Sequence, residues 1–185
     1  MQPRCSTPLR GGAIISPDAK TKQRIDRLKN FGIADELTVT APGINGKMSE
    51  INAAFGLVQL KHIDHAMQQR QLIDTYYRTA LADVKGITLY QHNPDANSNY
   101  SYFPILIEAD YPLSRDELYD KLKASNILSR RYFYPLISNM PMYRGLPSAQ
   151  ANLLPFANQL ADKVLCLPIY HELTSLDQEK IISLI

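Results

Sequence analysis

The feature that most constrains this chain is the stretch from Ala41 to Leu60, where a turn-rich segment runs directly into a helical pattern. Pro42-Gly43 and Asn45-Gly46 favour tight or left-handed backbone, so we expect a loop to end there. Apolar side chains then recur three and four residues apart. This spacing predicts a helix with Met48, Ile51, Phe55 and Val58 on one face.

The start of this helix also predicts a contact with an anion. Either Asn45 or Ser49 can cap the first turn. Asn45 would expose a small amide beside the free backbone N–H groups of the helix start, which is where an anion is most easily held. The residues alone therefore indicate a phosphate contact at Asn45 and nothing more specific.

The same stretch resembles a segment of a known enzyme family. It matches, almost without gaps, the pattern Gly-x-Asn-x-Arg-Met-Ser-Glu-hydrophobic-x-Ala-Ala-x-Gly-x-x-Gln-Leu of the pyridoxal-phosphate-dependent sugar aminotransferases, the DegT/DnrJ/EryC1/StrS family. The similarity continues on both sides, from Gly11 to the C-terminus. It implies the C-terminal half of an aspartate-aminotransferase-like, fold type I transferase: an α/β to α+β chain with a long bridging helix and a small, mainly antiparallel sheet with helices.

The resemblance implies roles for two residues of the loop. In the family, the asparagine that matches Asn45 reaches the phosphate of pyridoxal phosphate in the neighbouring subunit, and the basic residue that matches Lys47 lies close to the same site, where we assign it to substrate binding. The family usually has arginine there, so the bidentate grip would be weaker with Lys47. A complete relative would be a cytoplasmic homodimer that transfers an amino group, with glutamate as the donor, to a nucleotide-linked 4-keto-6-deoxy sugar in deoxysugar biosynthesis. The sequence of this stretch is most similar to that of enzymes that act on dTDP-4-keto-6-deoxyglucose.

No catalytic residue is assigned, because the lysine that carries the cofactor in the family has no counterpart here. That lysine stands a few residues before the Gly-Gly pair that matches Gly11-Gly12, and its amine must condense with the pyridoxal aldehyde. Counting back places Arg4 there, and a guanidinium does not lose its proton at working pH. The first lysine of the chain is Lys20. We therefore expect the Schiff-base lysine to be missing, and the chain alone to be inactive and to bind pyridoxal phosphate only weakly.

The expected organisation has four segments. Residues 1–10 are irregular and unlike the family, 11–57 are a remnant of the large cofactor-binding domain, 58–84 form the bridging helix, and 85–185 form the C-terminal small domain. We therefore interpret the chain as a truncated product that starts inside the large domain.

Within residues 11–57, the run Gly11–Ser16 predicts a buried strand, and Ser16-Pro17-Asp18 predicts the start of a helix. That helix would end at Gly32 and bury Ile25, Leu28 and Phe31. The helical pattern from Met48 would continue to Lys85-Gly86, as one helix or as two with a bend near Asp64.

The C-terminal region predicts alternating strands and helices. Strands are expected at residues 87–90, 101–107, 128–136 and 164–168. Helices are expected at 114–125, from 148 or 155 to 160, and at 174–185, with Ser114 and Thr174 as caps and Glu117 closing a capping box.

Several functions are disfavoured by composition. The net charge of the 185-residue chain is +2, and the basic run between Lys20 and Lys29 is interrupted by Asp26, so a solvated face is expected rather than a nucleic-acid site. No apolar run approaches the roughly 20 residues that a membrane helix needs. His62 and His65 lie three apart but lack a third ligand, so no metal site is expected. Cys5 and Cys166 are far apart, which favours reduced thiols in a cytoplasm.

Two functional alternatives remain open. Arg130–Pro135 and Leu167–Tyr170 resemble family landmarks that would face a nucleotide sugar, although packing of aromatic side chains at a sheet edge is the favoured explanation. The chain as a whole is then either a fragment of a nucleotide-sugar aminotransferase or a non-catalytic, self-associating α/β fragment or interaction protein. In both cases we expect homo-oligomers, because a half-domain would expose apolar surface.

Overall fold

The computed structural model describes residues 12–93 and 95–185. The described chain divides into two compact units, residues 12–63, called here the N-terminal unit, and Asp64–Ile185, the C-terminal unit. The predictions made for Arg4, Cys5 and Gly11 lie outside the described residues. Within the described ranges, no helix combines the length and the apolar character needed to cross a bilayer.

The N-terminal unit contains two helices and a minimal sheet. The helices are α1, Ala19–Leu28, and α2, Glu50–Leu60. Between them, β1, Ile33–Asp35, and β2, Thr38–Val39, form an antiparallel pair.

Helix α1 begins two residues later than a start at Pro17 would give, and its cap is Asp18. The Asp18 carboxylate accepts hydrogen bonds from the Thr21 backbone N–H at 2.8 Å and from the Thr21 hydroxyl at 2.7 Å. The Ser16 hydroxyl cannot serve as the cap, because it donates to the Asp18 carbonyl at 2.9 Å. An aspartate at this position also complements the positive end of the helix dipole.

The end of α1 depends on Gly32, as predicted. The Gly32 N–H donates to the Arg27 carbonyl at 2.8 Å, and its φ of +79° lies in the left-handed region. A Cβ at this position would stand 1.7 Å from the Ala41 carbonyl oxygen. Only glycine can therefore let the chain turn back at this point.

The predicted burial in the N-terminal unit is wrong. Residues 12–16 form no strand, and Ile15 is 96% exposed, because no strand among the described residues pairs with this segment. Phe31 is exposed, while Ile25 and Leu28 are only half-buried. On the face predicted for the second helix, Met48, Ile51 and Val58 are exposed and Phe55 is half-buried. The apolar spacing correctly identifies a face of each helix, but nothing within residues 12–63 covers those faces.

The long helical pattern is divided into two helices, which was one of the two forms predicted. Helix α3 spans Ile63–Leu81, and the turn between α2 and α3 is closed by short-range bonds from the Lys61 N–H to the Val58 carbonyl and from the His62 N–H to the Gln59 carbonyl. Helix α3 ends before Lys85-Gly86, as expected.

The C-terminal unit contains a four-stranded antiparallel sheet. Its strands are β3, Ile87–Leu89, β4, Phe103–Ile107, β5, Arg130–Arg131, and β6, Val164–Leu167, in the spatial order β3-β4-β6-β5. The antiparallel sheet confirms the predicted fold class. Strand β5 is much shorter than the predicted 128–136, because only Arg130 and Arg131 pair with β6 and Pro135 has no N–H to extend the ladder.

Helices cover this sheet. They are α4, Arg115–Ala124, α5, Pro155–Lys163, and α6, Ser175–Ser183, together with α3. Three short 3₁₀ turns, Ile137–Asn139, Pro147–Ala149 and Ala151–Leu153, connect β5 to α5. The predicted caps are confirmed: Ser114 and Glu117 form a full capping box, and the Thr174 hydroxyl oxygen accepts from the Asp177 N–H.

The core of the C-terminal unit lies between α3 and the sheet. The rings of Tyr77 and Phe103 meet edge to face with centroids 5.0 Å apart. The Tyr77 hydroxyl donates to the Pro168 carbonyl at 3.1 Å, so the buried phenol has a partner. Alternation along β4 buries every second side chain, which places Phe103, Ile105 and Ile107 in this core.

Candidate functional site

The loop that precedes α2 is attached to the C-terminal end of α1 by backbone hydrogen bonds. The Ile44 N–H donates to the Leu28 carbonyl at 2.9 Å, and the Gly46 N–H donates to the Lys29 carbonyl at 2.8 Å. In return, the Phe31 N–H donates to the Ile44 carbonyl at 3.0 Å. These bonds fix the backbone on both sides of Asn45.

A glycine is required where this loop crosses the end of α1. A Cβ on Gly43 would lie 2.2 Å from the Gly32 nitrogen and 2.5 Å from the Leu28 carbonyl oxygen. Both contacts are with backbone atoms, which cannot rotate away. The Pro42-Gly43 pair that predicted a turn therefore also permits a close approach of two chain segments.

Asn45 presents an unused side chain at this loop. Its backbone forms an isolated antiparallel bridge with Asn30, and its side chain is exposed and makes no hydrogen bond to the described residues. The carboxamide offers two N–H donors and one acceptor. The side chain of Asn45 is therefore free of hydrogen bonds to the described residues, and the phosphate contact assigned to it stays a prediction.

The cap of α2 is Ser49 and not Asn45, which settles the alternative left open by the sequence. The Ser49 hydroxyl oxygen accepts from the Asn52 N–H at 3.3 Å. Glu50 occupies the first turn, and its carboxylate competes with any external anion for the positive end of the helix. Anion binding in this region therefore depends on side chains of the loop rather than on the helix dipole.

Lys47 is held in place by the segment that follows α1. Its Nζ donates to the Asn30 Oδ1 at 2.9 Å and lies 4.9 Å from the centre of the Phe31 ring. An ammonium group has three N–H donors, so two remain for another partner. Lys47 thus places positive charge within the same loop system as Asn45.

Asn30 and Phe31 are the site residues that sequence reasoning missed. Asn30 contacts Lys47 through its side chain and Asn45 through its backbone. Phe31 has a φ of +60°, which is rare for a bulky aromatic residue and marks a strained position. The signal in the sequence was Asn30-Phe31-Gly32 directly after a helix, which we interpreted only as a helix end.

The donor types at this loop fit the phosphate of pyridoxal phosphate. A neutral amide and an ammonium group are suited to a phosphate. The two lysines that flank the loop have other partners: Lys29 Nζ pairs with Asp26 at 2.7 Å, and Lys47 bonds to Asn30. Within the described ranges, no group of three or more His, Cys, Asp or Glu side chains could hold a metal ion.

The arginine and aromatic side chains around β5 form a packed cluster in the C-terminal unit. The Arg131 guanidinium lies 3.9 Å from the Tyr119 ring centre, and the Tyr102 and Tyr132 rings are 5.0 Å apart. The buried Arg115 donates to the Ala161 carbonyl at 2.7 Å. These contacts support the packing explanation for Arg131 and Arg115.

Asp116 joins the two arginines of this cluster. Its Oδ1 accepts from the Arg115 Nε at 2.7 Å and from the Arg131 Nε at 2.6 Å. Burial raises the pKa of this carboxyl, but the two arginine hydrogen bonds outweigh that effect and hold the pKa below its usual range. Phe133 and Tyr134 remain about half exposed beside the cluster, where they are available for further contacts.

The architecture defines the class. A small antiparallel sheet covered by helices, preceded along the chain by two further helices, is the C-terminal part of a fold type I pyridoxal-phosphate-dependent transferase. The structure superimposes on DesV of Streptomyces venezuelae with a TM-score of 0.83 and 26% identity, covering 92% of this chain and 44% of that chain. DesI, solved in the presence of its TDP-sugar product, gives a TM-score of 0.79 and 32% identity over 92% of this chain and 43% of that one.

The family model described as the DegT/DnrJ/EryC1/StrS aminotransferase family matches residues 7–185, and the chain belongs to that family. The match therefore begins four residues before Gly11, where the similarity was predicted to begin. A dTDP-4-amino-4,6-dideoxy-D-glucose transaminase of Escherichia coli is 65% identical over 184 residues, which is 100% of this chain and 49% of that protein. A Shigella dysenteriae protein of the same name is 49% identical over 95% of this chain and 47% of its own length. The chain therefore spans about half the length of the curated relatives that it matches.

Proposed function

We propose that this chain is the C-terminal part of a nucleotide-sugar aminotransferase that acts on a 4-keto-6-deoxy sugar nucleotide. The observation that carries the proposal is the 65% identity, over the whole chain, to the E. coli dTDP-4-amino-4,6-dideoxy-D-glucose transaminase. That name describes a sugar with an amino group at carbon 4, so the sugar that receives the amino group has a keto group there. The buried and unpaired Cys166, whose pKa burial raises to about 12, fits the reducing cytoplasm expected for such an enzyme.

Within this function, the loop residues bind and orient rather than react. When bound, pyridoxal phosphate supplies the aldehyde and the electron-accepting ring of the transfer. The Asn45 amide would donate N–H groups to the cofactor phosphate, across a dimer interface. Lys47 would add positive charge beside it and contact the substrate, with its ammonium held in position by Asn30.

The chain on its own is proposed to be inactive. The family's reaction needs a lysine amine a few residues before Gly11-Gly12, and Arg4 stands at that place. An arginine side chain cannot act as the nucleophile. Pyridoxal phosphate is therefore expected to form no stable adduct with one specific lysine of this chain.

A second function is favoured by the exposure of the N-terminal unit. No apolar side chain within residues 12–63 is buried, although many are large. Such a surface is a site for association. The alternative is thus a non-catalytic, self-associating α/β fragment or interaction protein, and in either case we propose a homo-oligomer, most simply a dimer.

Two matched chimeras separate these functions. In the first, the E. coli relative supplies everything before Gly11 and this chain supplies residues 11–185; in the second, the join is at Met1, so that Arg4 is retained. The first is expected to bind pyridoxal phosphate, to give a borohydride-reduced adduct on one lysine, and to transfer an amino group to dTDP-4-keto-6-deoxyglucose. The second chimera and the chain alone are expected to bind pyridoxal phosphate only weakly and to give neither the reduced adduct nor amino transfer.

The possible results of these experiments distinguish the proposed inactivity of the chain from its proposed enzyme class. Activity of the chain alone would overturn the proposed inactivity and leave the enzyme class intact. A folded but inactive first chimera would favour the non-catalytic function, since the missing amine would then not be the reason.

A further inference from the structure

The basic side chains of α1 are divided between two faces of the helix. Lys22 and Lys29 both pair with Asp26, at 2.6 and 2.7 Å. At about 100° per residue, those three positions fall on one side of the helix. The other cationic residues, at intervals of four and three along the chain, fall on the opposite side and are Lys20, Arg24 and Arg27.

These three cations line one open cleft of the N-terminal unit. The cleft has a volume of about 700 Å³, and its other wall includes Thr40 and Ala41. None of the three forms an ion pair within 4 Å with the described residues, whereas the cations on the opposite face are neutralised by Asp26. The three cationic side chains of α1 that have no close counter-ion among the described residues therefore all line this cleft.

Two carboxylates lie near these cations, and both are already engaged. Asp18 lines the cleft, but its oxygens accept from the Thr21 N–H and hydroxyl. Asp35 lies close enough to feel the charge of Arg27, and it accepts from the Leu37 N–H at 3.1 Å. Both acids keep their negative charge, because hydrogen bonds lower the pKa of each. Neither forms an ion pair within 4 Å with any of the three cations, and the cations outnumber them, so the cleft keeps an excess of positive charge.

We propose that this cleft binds a small anion that carries two or more linked phosphates. From Lys20 to Arg27, seven residues span about 10 Å of helix at about 1.5 Å per residue. A chain of two or three linked phosphates can contact all three side chains along that distance with less convergence of the side chains, and so with less mutual repulsion, than a single phosphate requires. Arginine binds phosphate through two parallel N–H donors, and lysine adds a point charge.

The size and place of the cleft agree with a small ligand distinct from the cofactor. Its volume lies within the range of about 300 to 1,000 Å³ that is usual for small-molecule sites. Neither Asn45 nor Lys47 lines it. The site is therefore separate from the phosphate contact assigned to Asn45, and it does not depend on the proposed transaminase activity.

The test is a calorimetric titration of the full chain with inorganic tripolyphosphate, pyrophosphate and orthophosphate at low salt. We expect one site per chain, with affinity falling in that order and weakening as salt is added. The double variant R24Q/R27Q should bind tripolyphosphate about tenfold or more weakly, because two charged contacts are lost. The matched control K22Q/K29Q removes the same charge from the opposite face of α1 and should keep its affinity within about twofold of the unaltered chain.

Further measurements make the result decisive. Circular dichroism of both double variants establishes that they are folded. The variant N45A should bind tripolyphosphate with the same affinity as the unaltered chain. Competition by dTDP and by ATP to similar extents would show that the phosphates, and not the base, are recognised. The proposal is overturned if tripolyphosphate does not bind, if both double variants lose affinity equally, or if R24Q/R27Q loses none.

Discussion

Asn30 is linked to both residues that we assign to ligand binding, and its contact with Lys47 joins positions seventeen residues apart through a 2.9 Å hydrogen bond. The backbone of Asn30 also bridges that of Asn45. The end of α1 and the loop before α2 therefore act as one structural element. Substitutions in either segment should affect the geometry of the other.

The first prediction concerns the two loop side chains in the chimera joined at Gly11. Asn45→Ala should weaken binding of pyridoxal phosphate about tenfold, because charge-assisted hydrogen bonds to its phosphate are lost. Lys47→Arg should keep or improve the KM for the nucleotide sugar, since arginine can bind bidentately. Cofactor affinity is measured by absorbance titration, and unchanged affinity in Asn45→Ala would remove the phosphate role from Asn45.

The second prediction tests the crossing of the loop over α1. Gly43→Ala places a Cβ 2.2 Å from the Gly32 nitrogen, so the backbone must move, and we expect a loss of stability of about 1–3 kcal/mol. Gly56→Ala is the control, because a Cβ there meets nothing within 4 Å. In a helix that change should stabilise by about 0.5–1 kcal/mol. Urea unfolding of both variants measures the difference, and equal effects would contradict the close approach.

Local signals in the sequence account for much of the C-terminal unit. The Ser114 and Thr174 caps and the existence of β4 depend on residues within a few positions of one another, and both were predicted. The break in the helical pattern before Asp64 was one of the two forms predicted. The length of β5 was not predicted, because it depends on how many residues of β6 lie opposite.

The N-terminal unit shows what sequence periodicity leaves open. The apolar spacing of α2 identifies a face without identifying what packs against it, and Ile51 on that face is 75% exposed. The phosphate contact proposed for Asn45 follows from its place before a helix, and the role proposed for Lys47 follows from family resemblance. The hydrogen bond between Asn30 and Lys47 joins residues seventeen positions apart, so no local pattern predicts it. The division of cations on α1 can be read from spacing, but the cleft that they line depends on where Thr40 and Ala41 lie.

The third prediction concerns the buried hydroxyl of Tyr77. Tyr77→Phe keeps the ring contact with Phe103 but leaves the Pro168 carbonyl without this donor, which should cost about 1–2 kcal/mol. Burial raises the pKa of Tyr77, so the hydroxyl remains a donor at all ordinary pH values. Tyr76→Phe, on the same helix and 37% exposed, should change the free energy of unfolding by less than about 0.5 kcal/mol. Similar losses in both variants would show that the hydrogen bond to Pro168 is not the cause.

The fourth prediction concerns stability at acid pH. The pKa of Asp116 in the folded chain lies below its ordinary value of 3.8. Ionised Asp116 therefore contributes its full share to the free energy of unfolding above pH 3.8, and this share is lost as the pH falls from 3.8 towards the pKa of the folded chain. Asp116→Asn should therefore lower the melting temperature at neutral pH and make it less sensitive to acid as the pH falls below about 4. Asp120→Asn, which removes a carboxylate without an ion pair among the described residues, should keep the acid sensitivity of the unaltered chain. Parallel melting curves for the unaltered chain and Asp116→Asn at every pH would contradict this role.

The last prediction concerns self-association through α2. Ile51 and Leu57 are 75% and 65% exposed on a helix with no buried residue, so water contacts apolar surface that another copy of the chain can cover. We expect the unaltered chain to sediment as an oligomer and I51D/L57D to sediment as a monomer, because a charge in an apolar interface is not compensated. L176D is the control, since Leu176 is 77% exposed on α6 in the other unit, and this variant should remain oligomeric. A monomeric unaltered chain would remove self-association from both proposed functions, and dissociation of L176D to the same extent would place the interface elsewhere than on α2.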